Sequence, residues 1–201
     1  MCPAGRPQSF DQTAALEAAM AVFWAKGYAA ASIAGLVTAM GIGRQSLYDT
    51  FGDKRTLYLT ALRHYGERAV ASTLDVLTGP GEPIDRLRAV FDNWAEVQAC
   101  PDCKGCFMAG ALAQLDRNDA EVCALVDELQ QSLIDAFAAA IAQAQSAQQL
   151  RDDIDPAELA VMLTAVGHGL ALAGRAPSNA TTVPAGVRAT LALLGIPVPT
   201  H

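Results

Sequence analysis

The sequence predicts an all-α fold in two parts. A three-helix helix-turn-helix unit is expected over residues 1–52 and a second helical domain over 53–201, with a helix over 53–78 connecting them. Three observations carry this. Apolar residues recur at i, i+3, i+4 and i+7 in segment after segment, the period of an amphipathic helix. No segment keeps the period-two alternation of a half-buried strand. Alanine is abundant and only 6% of residues are aromatic, a balance that favours helix over sheet.

The elements follow in order. Leu16, Met20, Phe23 and Trp24 form one apolar stripe on a helix over 9–26, closed by Gly27. Ser32 is the N-cap of a second helix, whose apolar face is Ile33, Leu36, Val37 and Met40. Gly41 stops it. Gly43 to Thr50 is long enough for about two helical turns. Gly52-Asp53 is then a break and a cap, and a long helix runs through Leu57, Ala61 and Tyr65 towards Leu77. Gly79-Pro80-Gly81 is the clearest breaker. Helices are expected over 83–99, 105–115, 119–147, 156–174 and 184–195, separated by Cys-Pro, Asp-Arg-Asn-Asp, Asp-Asp-Ile-Asp-Pro and Pro-Ser-Asn. The segment AFAAAIAQAQSAQQ is biased in composition but helix-forming, and no internal repeat is visible.

With 201 residues, 52% of them hydrophobic and 17% charged, the chain has ample material for one or two cores. No apolar run approaches the ~20 residues of a membrane span. The opening MCPAGRPQSF lacks the apolar stretch of a signal peptide. A cytoplasmic protein with no membrane partner is therefore expected, with its five cysteines free of a disulfide framework. Net charge is −7, yet residues 1–68 hold seven Lys/Arg against five acids, while the remainder holds seven against sixteen. A basic head on an acidic body suits a protein that turns one face to phosphate.

The stretch MGIGRQSLYDTFGDK (40–54) concentrates that chemistry. Two helices joined by a tight turn at Met40-Gly41-Ile42 make a helix-turn-helix, with Gly41 supplying the backbone freedom and Ile42 and Leu47 pointing inward. Gly43, Arg44, Gln45, Ser46, Tyr48 and Asp49 are left outside or at the helix start. The second helix of such a motif presents its N-terminal residues to base edges in the major groove of double-stranded DNA. Arginine pairs bidentately with guanine, glutamine with adenine, and serine with either. Tyr48 offers a hydroxyl to phosphate, and Lys54 adds a cation beside the amides of the next helix start.

SIAGLVTAMGIGRQSLYDTFGDKRTLY resembles the DNA-binding domain of TetR/AcrR-type transcriptional regulators, over about Phe10 to Tyr65. The marks are Ile33-Ala34, Gly41-Ile42, Ser46-Leu47-Tyr48, Phe51, Lys54 and Leu57. The resemblance implies a homodimer, a pseudo-palindromic operator, and a C-terminal domain where a small-molecule effector lowers DNA affinity, most often in a repressor. It carries DNA contact over to Ser32, Arg44, Gln45, Ser46, Tyr48 and Lys54. Thr50, Gln45 and Arg55 depart from the family's usual residues, which bears on the operator sequence.

ACPDCKGCFMAG sets Cys100, Cys103 and Cys106 with two residues between each and the next, and Cys123 further on. Three chemistries fit. A metal or iron–sulfur site would need a fourth ligand, and Gly110 stands where the ferredoxin pattern has it. A thiol sensor would use Cys106, at a helix start beside Lys104, with Cys103 or Cys100 as resolving thiol. Some regulators of the resembled type carry a Gly-Cys pair here and answer to electrophiles. In the third reading Cys106 and Cys123 are small core residues and the other two lie in a loop. The alternative to a regulator is a small helical redox or metal-binding enzyme built on Cys100, Cys103 and Cys106. No triad or carboxylate pair stands at catalytic spacing, so no enzyme, cofactor or resident metal is expected.

Phe91, Trp94, Phe107, Met108, Leu112 and Met162, with Cys106, are the candidate effector pocket, because the family architecture lets their helices line one cavity. Core packing accounts for the same residues. His168 lies between two glycines on an apolar helix, as a core, dimer-seam or pocket residue. The segment LAVMLTAVGHGLALAG is nearly uncharged, and Ala165, Gly167 and Gly169 allow close helix approach. The resemblance pairs the helices near 156–174 and 184–195 across a two-fold axis.

Overall fold

Asp11 opens the first helix by accepting hydrogen bonds from the backbone N–H groups of Thr13 and Ala14 at 2.9 and 3.1 Å. The computed structural model describes residues 10–99, 104–114, 116 and 118–196, and among these the regular structure is helical, with no strand. The helices are α1 (Gln12–Ala30), α2 (Ile33–Met40), α3 (Arg44–Phe51), α4 (Lys54–Thr78), α5 (Pro83–Gln98), α6 (Phe107–Ala113), α7 (Ala120–Ser146), α8 (Pro156–Ala173) and α9 (Asn179–Leu193). The all-α expectation holds. The chain divides into two compact units, residues 1–62 and 63–201, the division falling inside α4.

In the first unit the signals of α2 to α4 act as read, while α1 differs from the expected 9–26: the Asp11 cap starts it at Gln12 and it runs past Gly27 to Ala30. Gly27 breaks α1, with φ 76° and ψ 167°, and one further turn follows it. The Ser32 hydroxyl caps α2 by accepting from Gly35 N–H at 3.1 Å. Gly41 ends α2 in the left-handed region at φ 65°, where a Cβ would be strained. The sharp turn lets α3 fold back so that Leu47 is fully buried, as are Leu36, Leu57, Ala61 and Leu62. Phe23, Tyr28 and Tyr58 close this core as an aromatic triangle, with centroids 5.0 to 6.4 Å apart. Asp53 caps α4 through Thr56 N–H at 2.7 Å. That bond and the one from the Thr56 hydroxyl hold its carboxyl below the usual carboxylate range.

In the second unit α7 packs along α8, α5 lies on α7, α8 and α9, and α6 rests on α7 and α8. Asp119 and Asp155 cap α7 and α8. Phe91, Phe137, Ile141, Leu163 and Leu191 sit at the centre of the core. Gln145 ties the turn before α8 by donating to the carbonyls of Arg151 and Ile154, both at 2.9 Å. Asn179 is buried and donates to the Gln98 carbonyl at 3.1 Å, fixing the start of α9 to the end of α5.

Two sequence expectations need correction. The last helix begins at Asn179, not at residue 184: Thr181 and Thr182 pair with the Ser178 carbonyl, adding a turn ahead of Pro184. Pro184 looked like a first helical residue because it lacks a donor, but it stands within the helix. One helix, α8, does reach membrane-spanning length and apolarity with 18 residues. One face of it, including Leu159, Ala160, Leu163 and Gly167, is buried in this unit.

Gly167 is where that face meets Trp94. A methyl group at Gly167 would stand 2.1 Å from Trp94 Cζ3, and the indole is held edge-on by Phe91 at 5.4 Å and Phe137 at 5.7 Å. Gly167→Ala is expected to destabilise the protein by about 1–3 kcal/mol in urea unfolding. Gly66→Ala, whose methyl would meet the flexible end of Leu129, should cost less.

Candidate functional site

Leu47 faces the core, so α3 turns its other residues outward. Arg44, Gln45, Tyr48 and Asp49 are exposed, with Tyr48 at 42%, and Ser46 is half-buried. Gly43 is the N-cap of α3 and provides no side-chain cap. The first amides of α3 therefore keep their capacity for an outside acceptor, which suits phosphate oxygen. Gln45 Nε2 donates to Asp49 Oδ1 at 2.8 Å, one turn along the same face. Ser32 is exposed, with its hydroxyl accepting the capping bond. Lys54 holds its ammonium over the Tyr28 ring, 4.5 Å from the centroid.

Seven expected DNA-contact residues, Ser32, Gly43, Arg44, Gln45, Ser46, Tyr48 and Lys54, thus all lie in the first unit at the ends or on the outer face of α2 to α4. Tyr28 escaped sequence reasoning. It stands at the end of α1, far from Lys54 in the chain, and only the fold brings its ring under the ammonium.

The residues expected to line an effector pocket separate more. Phe91 and Trp94 form one aromatic cluster with Phe137. Phe107, buried like Met108, packs edge-on against Tyr65 at 5.8 Å. Leu112 is half-buried. Cys106 is the N-cap of α6, its Sγ accepting from Ala109 N–H at 3.5 Å. Met162 is 45% exposed, on the face of α8 turned away from the aromatic cluster. A helix apolar all round gives its sequence no phase, and this is why Met162 read as a lining residue.

Cys100 and Cys103 lie outside the described residues. Among the described ones no group of His, Cys, Asp or Glu is arranged to hold a metal ion, and neither Cys106 nor Cys123 is in a disulfide.

Two polar atoms on α8 stand out. Thr164 Oγ1 and His168 Nε2 are buried and make no hydrogen bond. Burial lowers the His168 pKa from its ordinary value, so the imidazole is neutral at pH 7. Thr164 had carried no signal in the sequence, because a lone threonine on an apolar helix reads as filler.

Comparison with known proteins agrees with this geometry. The family model described as "Bacterial regulatory proteins, tetR family" matches residues 15–61, and "Tetracyclin repressor-like, C-terminal domain" matches residues 83–190. The uncharacterized HTH-type transcriptional regulator YezE of Bacillus subtilis is 32% identical over 158 residues, 78% of this chain and 81% of its own. The HTH-type transcriptional repressor ComR of Escherichia coli is 29% identical, over 85% of this chain and 82% of its own. A cysteine mutant of the regulator CifR, solved with 26-bp operator DNA, superposes with a TM-score of 0.78 at 29% identity, covering 92% of this chain and 99% of that one. These matches leave the alternative of a redox or metal enzyme without support.

Proposed function

Because the chain belongs to the TetR family of transcriptional regulators, we propose that it is a homodimeric repressor which reads a pseudo-palindromic operator through α3 and is released when its second unit is modified or binds a small molecule. The observation that carries the DNA reading is the outward row Arg44, Gln45 and Tyr48 on a helix buried at Leu47. Arg44 and Gln45 contact base edges, and Ser46 adds a hydroxyl. Ser32, Gly43, Tyr48 and Lys54 hold phosphates and fix the register. The Tyr28 ring keeps the Lys54 ammonium in one place before DNA arrives.

Homodimerisation is supported by what α8 and α9 leave uncovered. Val161, Met162 and Leu172 on α8 are 52%, 45% and 40% exposed, and Leu193 on α9 is 81% exposed. Two copies that bury these faces against each other set two α3 helices on two half-sites. Release follows if the effector-bound state has lower operator affinity than the free one. An electrophile that alkylates Cys106 would convert its capping thiol into a bulkier thioether at the start of α6 and so offers a second route to release.

Three measurements test this. Fluorescence anisotropy with DNA flanking the protein's own gene should give salt-sensitive binding. Lys54→Gln should weaken it on all sequences alike and lower the salt slope by about 1. Arg44→Ala should cost about 1–3 kcal/mol on the preferred sequence and relax its preference. Sedimentation should give twice the 21.0 kDa chain mass. Met162→Glu should shift it to the monomer with loss of operator binding, and a wild-type monomer at micromolar concentration would refute the dimer. Treatment with N-ethylmaleimide should lower operator affinity, and Cys106→Ser should abolish that response; an unchanged response would remove Cys106 from the mechanism.

A further inference from the structure

Threonine inside a helix ordinarily satisfies its hydroxyl on the carbonyl four residues back. Four others in this chain do so: Thr60 to Thr56, Thr73 to Ala69, Thr78 to Leu74 and Thr190 to Gly186, at 2.8 to 3.0 Å. Thr164 does not. It is 1% exposed and its Oγ1 has no partner. One turn further, His168 Nε2 is buried and equally without a partner. Residues four apart on a helix lie side by side, about 5–6 Å between Cβ atoms, so the two side chains are neighbours on one face of α8. Leaving a buried donor or acceptor unmade costs about 1–3 kcal/mol, and native proteins carry few such groups.

The surroundings limit what fits. Between the two residues in sequence, Gly167 admits the Trp94 indole against the α8 backbone, and Phe91 and Phe137 hold that indole edge-on. A flat apolar ring therefore meets α8 within one turn of both residues. A carbonyl oxygen has two lone pairs and takes both donors at once; a hydroxyl donates to one and accepts from the other. A carboxylate would bring a full charge to two neutral groups, a costly burial without a paired cation. The next cation along the chain, Arg175, lies past the end of α8 and is exposed.

We propose that Thr164 and His168 are the polar anchor of an effector site whose ligand is an uncharged aromatic molecule carrying one carbonyl or hydroxyl oxygen, with Trp94 as the apolar wall. This rests on the reading that the second unit binds the effector, and it adds the chemical class and the two residues that select it.

The test uses the full chain with Trp24→Phe, which leaves Trp94 as the single indole of the two in the sequence. Benzaldehyde, benzyl alcohol, sodium benzoate and ethylbenzene are titrated against Trp94 fluorescence at pH 7.5, and operator binding is measured in the same samples. Saturable quenching by benzaldehyde and benzyl alcohol is expected, with weaker or absent binding of benzoate. Thr164→Val, which keeps the side-chain shape, should weaken the two oxygen-bearing probes about tenfold while ethylbenzene binding is unchanged; His168→Phe should weaken them similarly. Equal binding of benzoate and benzaldehyde, or wild-type affinity in Thr164→Val, would overturn the proposal. Operator binding with no probe bound would sink the proposal alone, and probe binding by a protein that holds no DNA even before any probe is added would sink the regulator reading beneath it.

Discussion

Gly41 holds the backbone in the left-handed region, and the DNA-facing chemistry depends on that one dihedral. A helix that ended without reversal would carry Arg44 to Tyr48 away from the core. With φ at 65° the chain turns within three residues, Leu47 drops beneath α2, and the opposite side of α3 has no choice but to face outward. Exposure of Arg44, Gln45 and Tyr48 is thus a consequence of burying Leu47. A Cβ at Gly41 would meet no neighbouring atom. The requirement is conformational and not steric, so enlarging the surrounding space could not relieve it.

The first unit was legible in the sequence because its signals are local. Ser32 caps, Gly41 stops and Asp53 restarts within a few residues of the structure they control, and the ends of α2 match their expected places. The second unit hides its working parts. Trp94 and Gly167 stand 73 residues apart by number and meet only through the packing of α5 on α8. Asn179 fixes the start of α9 through a bond to Gln98, which no pattern around Pro184 announces. On α8 the apolar residues go all round, so periodicity could not separate the buried Thr164 from the exposed Met162.

Charge gives the two ends of the chain different work. Acids outnumber bases more than two to one after residue 68, while bases lead before it. An acidic body is repelled by phosphate at long range, leaving the head as the favoured approach. Within the head the cations are placed differently from one another. Arg44 stands exposed on α3, whereas Lys54 is steadied over an aromatic ring. A steadied ammonium loses less rotamer freedom on meeting phosphate than a solvated one.

The bond from Gln45 to Asp49 changes how base choice is to be counted. In the proposed reading, a base edge that recruits the Gln45 amide meets a group with one of its two N–H donors already held by a carboxylate. Recognition at that position would then use the second N–H and the carbonyl oxygen, with the first N–H still directed along the helix. A poor base forfeits a gain, and it also leaves Gln45 in an arrangement the free protein prefers, turned along its own helix. In that reading Asp49 fixes the direction from which the Gln45 amide meets a base, and one carboxylate that need never touch DNA narrows the choice of bases.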